Sequence, residues 1–387
     1  MREPIYLDFN ATTPVHPAVL DAMLPFFGPL LGNPSSAHPY GFRLRTAVED
    51  ARAQIAGLIG AEPDEIVLTC SGSESNNLAL KGLAFGGPGA RNEIVISAVE
   101  HPAVTNTARF LTRHGFSVTT VPVDHNGCID LAAVQSAVTA RTLVVSVVHA
   151  QNEIGTIQPV AEVAAIAHQC GAMVHADAAQ TVGKVPVNVR ALGVDLLSIA
   201  GHKFYAPKGA GALYVRRGID LEPLIHGGGH ERGRRAGTEN AAFAVGLGRA
   251  ARLARERLPT YDSEVRRLRD RLQDTLLSGV PDAVLNGHPV TRLPNTLNVS
   301  FAGIDSTDLQ CLVRDRVACS TGSGCHDGIT VPSAALLAIG RDRALSAAAL
   351  RLSLGVETTP AEIDEAGAIL IDAVSELRTA RAVRSGG

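Results

Sequence analysis

Residues 195–209 read DLLSIAGHKFYAPKG, and the first six of them decide the fold. Leu196, Leu197, Ile199 and Ala200 leave neither face of this run polar. Such a run belongs in a sheet covered on both sides. Four earlier segments share the texture: EIVLTC (65–70), EIVISAV (93–99), TLVVSVVHA (142–150) and MVHADA (173–178). Between them lie helical stretches such as RTAVEDARAQIAGLIG and VAEVAAIAHQCG, the latter closing on a glycine stop. Alternation of this kind predicts an α/β fold with a mainly parallel central sheet and helices on both faces. Ligands are then expected at the carboxyl ends of the strands.

After residue 255 the texture changes. EVRRLRDRLQDTLL puts Val265, Leu268, Leu272 and Leu276 on one helical stripe. LPNTLNVSF reads as a strand, and RLSLG precedes a last helix starting near Pro360. The expected division is a large domain over 15–255 and a smaller α+β domain formed by 1–14 with 256–387. The chain of 387 residues is long enough to bury a core in each.

A net charge of −3 gives no reason to expect nucleic-acid binding, and no apolar stretch is long enough to span a bilayer. The opening MREPIYLDFNATTP does not read as a signal peptide. Six cysteines, Cys70, Cys128, Cys170, Cys311, Cys319 and Cys325, form no CxxC pair, which predicts free thiols in a reducing cytoplasm. The thirteen histidines make no metal-ligand spacing with them.

Polar clusters come directly after the predicted strands, where an α/β site should be. CSGSESNN (70–77) opens a helix with small residues, where exposed backbone N–H groups and a hydroxyl can cradle a phosphate. EHPAV carries His101, AQNEIG carries Asn152, and HADAAQ carries Asp177 and Gln180. The last run ends in Gly201, His202 and Lys203. Taken singly, each has an ordinary alternative, since a strand-end lysine can snorkel to water and a serine can simply cap a helix. Together they are the groups that pyridoxal phosphate requires: a lysine for a Schiff base, a carboxylate against the ring nitrogen and a cup for the phosphate. His101 would stack on the ring.

The chain resembles the cysteine desulfurases and selenocysteine lyases, in the class-V aminotransferase branch of fold-type I pyridoxal-phosphate enzymes. YLDFNATTPV, GNPSSAH, SGSESNN, EHPAV, NEIG, HADAAQ, GHKFYAPKG, GGGHERGRRAGTEN, LPNTLNVSF and RLSLG carry the likeness. The resemblance implies a homodimer, with Lys203 bearing the cofactor, Asp177 on the ring nitrogen and Gln180 near the ring hydroxyl. It also implies phosphate contacts from Gly72, Ser73 and His202, with Thr238 reaching in from the other subunit. Arg351 would take the substrate carboxylate through its planar fork, and Asn152 would sit beside cofactor and substrate. Ala200 stands where many desulfurases place a hydroxyl residue that supports the phosphate.

The same resemblance aligns Cys325, in CSTGSGCHDGITVPS, with the sulfur-accepting cysteine. The expected reaction converts L-cysteine to L-alanine and leaves a persulfide on Cys325 for a sulfur-acceptor protein. His101 is the expected acid–base helper. Three glycines around Cys325 predict a mobile loop rather than core. His326 and Asp327 are closer to the selenocysteine lyase pattern, so preference for cysteine or selenocysteine stays open, as does a β-lyase releasing sulfide. Cys319 is the competing sulfur carrier. The acceptor's pathway, whether iron–sulfur assembly, tRNA thiolation, DNA sulfur modification or another biosynthesis, stays open too.

Overall fold

A computed structural model describes residues 3–87, 89, 91–321, 323–326 and 329–385, of which 323–326, 329–331, 384 and 385 in backbone only. The central sheet has seven strands: β1 (Ile66–Thr69), β2 (Glu93–Ser97), β3 (Ser117–Val121), β4 (Thr142–Val148), β5 (Met173–Asp177), β6 (Leu196–Ala200) and β7 (Gly211–Val215). Their order is β1-β7-β6-β5-β4-β2-β3. Only β7 opposes its neighbours, pairing antiparallel with both β1 and β6. The other six point the same way, so their carboxyl ends share one edge.

All five expected strands are present. Two were not foreseen, β3 and β7. β3 is an edge strand with polar, largely exposed residues, so it lacks the apolar run that marked the others. Inside the sheet, β6 and β7 are buried along their whole length. The buried polar atoms there pair with each other. The His175 ring bridges Ser146 and Ser198 at 2.8 and 2.9 Å, tying β4, β5 and β6 together. Burial holds that ring's pKa at about 4, so it works as a neutral strut.

Helices α1 (Pro39–Ile59), α2 (Gly72–Gly86), α3 (Pro102–Thr112) and α4 (Val160–Gln169) pack around this sheet. Beyond them α5 (Ala241–Gly279) runs unbroken for 39 residues, through Pro259. Proline inside a helix costs about 3 kcal/mol. Tyr261, Val265, Leu268, Leu272 and Leu276, all buried, each recover about 1.5–3 kcal/mol of apolar burial, so packing wins.

The second sheet is antiparallel. Its strands β8 (Ala283–Leu285), β9 (Thr296–Phe301), β10 (Ser320–Thr321) and β13 (Ala349–Ser353) lie in the order β10-β13-β9-β8. Its core joins the second half of α5 to α6 (Pro360–Ser385). The N-terminal segment belongs here as well, with Ile5 and Tyr6 paired to Val317 and Ala318. The division expected near residue 255 falls inside α5. Leu247, Ala250 and Ala251 enter the large core and Tyr261 onward the other, and on this basis we propose that α5 is the shared spine of two domains. Between β10 and β13, β11 (Ser323–His326) pairs with β12 (Ile329–Pro332) as an antiparallel ribbon. The backbone at Cys325 is therefore paired, where a loop was expected. Its side chain, with those of His326 and Asp327, lies outside the described residues.

Candidate active site

The carboxyl edge of the sheet encloses a cavity of about 270 Å³. Gly72, Ser73, His101, Asn152, Asp177, Gln180, Ala200, His202, Lys203 and Arg351 all line it. These are ten of the twelve residues named from the sequence. Thr238 is exposed and outside the cavity, and Cys325 is among the side chains not described.

Asp177 ends β5 and is 3% exposed. Its Oδ2 accepts from Asn76 Nδ2 at 2.7 Å and its Oδ1 from the Ala179 N–H at 3.0 Å. Asn76 lies one turn into α2, so the helix that opens at the cavity also holds the carboxylate. Ser71 caps that helix by accepting from the Glu74 N–H. The N–H groups of Gly72 and Ser73 have no acceptor within the helix. A Cβ at Gly72 would stand 3.1 Å from the Ala200 Cβ. Glycine lets the helix start press against the end of β6, and Ala200 fills that contact without offering a hydroxyl.

Lys203 follows β6 in a single turn of 3-10 helix. Its Nζ donates to the main-chain oxygens of Asn10 (2.6 Å) and Ala11 (2.9 Å). Burial is the main reason its pKa falls to about 8; Arg351 lowers it further, while Asp177 and Asp8 oppose the fall. His202 sits against Thr12 Oγ1 at 3.2 Å, and burial followed by the lysine charges holds it at about 4. His101 caps α3, its Nδ1 accepting from the Ala103 N–H at 3.1 Å. In the neutral ring the proton therefore sits on Nε2. Loss of hydration lowers the His101 pKa, Asp177 working against this and Lys203 with it.

Arg351 Nη2 donates to Asp8 Oδ1 at 2.7 Å and Ser320 Oγ at 2.9 Å, and Nη1 reaches the Asn152 oxygen at 3.3 Å. Nε is buried without a partner. Arg351 is thus pre-oriented, with Asp8 as the group any incoming carboxylate must rival.

Sequence reasoning missed Asp8, Asn10, Asn76, Glu100 and Lys184. Asp8 and Asn10 stand inside YLDFNATTPV, which carried resemblance and no assigned role. Glu100 is buried between Ser97 Oγ (2.5 Å) and the Val148 N–H (2.6 Å). Burial pushes its carboxyl up to about 8, with the neighbouring Asp177 adding to the rise. Among the cysteines, Cys70 is exposed. Cys319 is buried in the second core and its thiol is pushed up to about 12. That is the reverse of what a sulfur nucleophile needs.

The donor set fits pyridoxal phosphate: an amine and a carboxylate at the ends of adjacent strands share one cavity with a helix start and an imidazole. The family profile for class-V aminotransferases matches residues 5–366. The cysteine desulfurase of Sinorhizobium fredii is 45% identical over 386 residues, 99% of this chain and 100% of its own. Cysteine desulfurase IscS of Dictyoglomus turgidum is 44% identical over 383 residues, covering 98% and 96%. A solved NifS-like protein superposes with a TM-score of 0.91 at 37% identity, over 97% of this chain and 100% of that one. The chain belongs to the class-V aminotransferase family, among its cysteine desulfurases.

Proposed function

We propose that the protein binds pyridoxal phosphate in this cavity, takes sulfur from L-cysteine, releases L-alanine and carries the sulfur as a persulfide on Cys325. The observation that carries this reading is the Lys203 amine beside the Asp177 carboxylate, at the ends of adjacent parallel strands, in one cavity with the α2 start. When bound, the cofactor supplies a sink for the electron pair left on the substrate Cα. Asp177 would hold its ring nitrogen, and Gly72, Ser73 and His202 its phosphate. Lys203 bears it and then moves the Cα proton. Arg351 orients the substrate carboxylate beside Asn152, and His101, neutral at working pH, passes protons at the substrate.

The Cys325 thiolate attacks the substrate sulfur, forming an S–S bond as the carbon–sulfur bond breaks. The bonding pair stays with carbon, which takes a proton to become the alanine methyl group. L-cysteine and one protein thiol thus give L-alanine and one protein persulfide, with no outside oxidant. Cys319 is not the carrier in this reading.

Loaded protein should form alanine from L-cysteine in the presence of a thiol reductant. Release of sulfide with pyruvate and ammonia in place of alanine, and no persulfide on the protein, would mean a β-lyase. Turnover with selenocysteine alone would mean a selenocysteine lyase.

The homodimer enters through Thr238. Arg52 clamps Glu231 with bonds of 2.7 and 2.9 Å, and Arg235 Nε meets Glu74 at 3.0 Å. These contacts hold the 227–240 arm along the large domain and leave Thr238 exposed outside its own cavity, which supports the reading that it serves a second copy's phosphate. Sedimentation should give a dimer, and Thr238→Ala should weaken cofactor binding by about tenfold, one lost hydrogen bond to a charged group. A fully active monomer would exclude this arrangement. The sulfur acceptor is a partner protein. No helix among the described residues is long and apolar enough to cross a membrane, and a reducing cytoplasm suits a thiol carrier.

A further inference from the structure

Lys184 is a buried lysine to which the reaction above gives no task. It is 3% exposed. The turn after β5 brings it there: Gly183 has φ +80, and a Cβ at that position would come within 2.8 Å of the Phe204 Cβ. Lys184 Nζ donates to Gln180 Oε1 at 2.7 Å and to Asn10 Oδ1 at 3.0 Å.

Neither amide can be turned around. Gln180 Nε2 donates to the main-chain oxygen of Asn10 at 3.0 Å, and Asn10 Nδ2 donates to the main-chain oxygen of Asn152 at 3.1 Å. Main-chain oxygens only accept, so both side-chain oxygens must face Lys184. Two acceptors are therefore fixed within reach of the amine. The Asn10 main-chain oxygen that receives Gln180 also receives Lys203 Nζ at 2.6 Å.

We propose that Lys184 is a positioning residue, whose amine clamps the oxygens of Gln180 and Asn10 so that Gln180 presents an N–H to the cavity and Asn10 holds Lys203. This rests on the cofactor reading above. Burial lowers the Lys184 pKa well below the ordinary value, and the charges of Lys203 and Arg351 push the same way. No carboxylate is among its bonded partners, so what the amine adds to the site is the placement of two amide oxygens. Asp177, His101, His202, Lys203 and Arg351 are the other titratable groups around the cavity.

An N–H held against the ring hydroxyl oxygen favours that oxygen's anionic form. Losing it raises the pH at which the lysine-bound cofactor gives up its titratable proton. The test is a pH titration of the cofactor's visible absorbance in wild type, Lys184→Met, Gln180→Ala and the double variant. Lys184→Met should raise the midpoint by roughly half to one pH unit, the size of one hydrogen bond. It should weaken cofactor binding severalfold, and Lys184→Gln, which keeps a donor, should recover part of both. In the Gln180→Ala background Lys184→Met should add nothing further to the midpoint. An unmoved midpoint, or a shift that adds fully to that of Gln180→Ala, would overturn the assignment. So would failure of both Lys184 variants to fold, because a positioning role leaves the core standing. A wild-type protein that develops no visible band would instead defeat the cofactor reading itself.

Discussion

Lys203→Ala protein is expected to lose turnover by at least about 10³-fold, together with the visible absorbance of the bound cofactor, while its fold stays intact. The loss follows from the proposed function, in which one amine both bears the cofactor and moves the Cα proton. The fold survives because the substitution removes a buried amine whose hydration was already lost. Of the two main-chain oxygens it leaves, that of Asn10 keeps its bond from Gln180. A visible band in the variant that borohydride still fixes to the protein would show another lysine to be the attachment point.

The wild type offers a second reading of the same amine. With its pKa near 8, about a tenth of Lys203 is neutral at pH 7, roughly two orders of magnitude more than for an ordinary lysine. Burial penalises the charged form, so the neutral nucleophile gains as pH rises. The rate at which cofactor-free protein develops visible absorbance should climb with pH and reach half its plateau near 8. A midpoint above 10 would mean that the amine is not buried as described.

Cys325→Ala is expected to keep the cofactor spectrum and the spectral response to L-cysteine, yet to lose alanine formation from it by at least about 10³-fold. Separate elements hold the two tasks: Lys203, Asp177 and His101 line the cavity, and Cys325 comes from the β11–β12 ribbon. With L-selenocysteine some elimination should persist, since selenium leaves more readily and needs less help from a nucleophile. Mass spectrometry after a short incubation of wild type with cysteine and no reductant should place the extra sulfur on the peptide carrying Cys325. Sulfur found only on Cys319 would reverse the assignment, against a thiol that is 6% exposed and pushed up to about 12.

The amino-acid sequence by itself determined the parallel core and the chemistry at its edge. Runs such as DLLSIA and EIVIS are apolar on both faces, and that pattern suits a strand buried between two layers. The residues at the carboxyl end of each such strand must then lie at the ligand edge, which is why Asp177, Gln180, His202 and Lys203 were legible as a group. β3 escaped because SVTTV is largely polar and exposed, so it carries no apolar run to mark it. The break near 255 was legible as a change of texture but not as the middle of α5, because helical periodicity runs on across a boundary between two cores.

Only the tertiary structure decided how the site is braced. Asn10 meets Lys203 across 193 residues, and Asp8 meets Arg351 across 343. No local pattern marks either residue, since a hydrogen-bonding hub needs only one amide at the right place. Lys184 was silent for the same reason. A lysine four residues after a glutamine is ordinary in a sequence, and it becomes a clamp when Gly183 turns it inward and burial removes the water that would otherwise satisfy it.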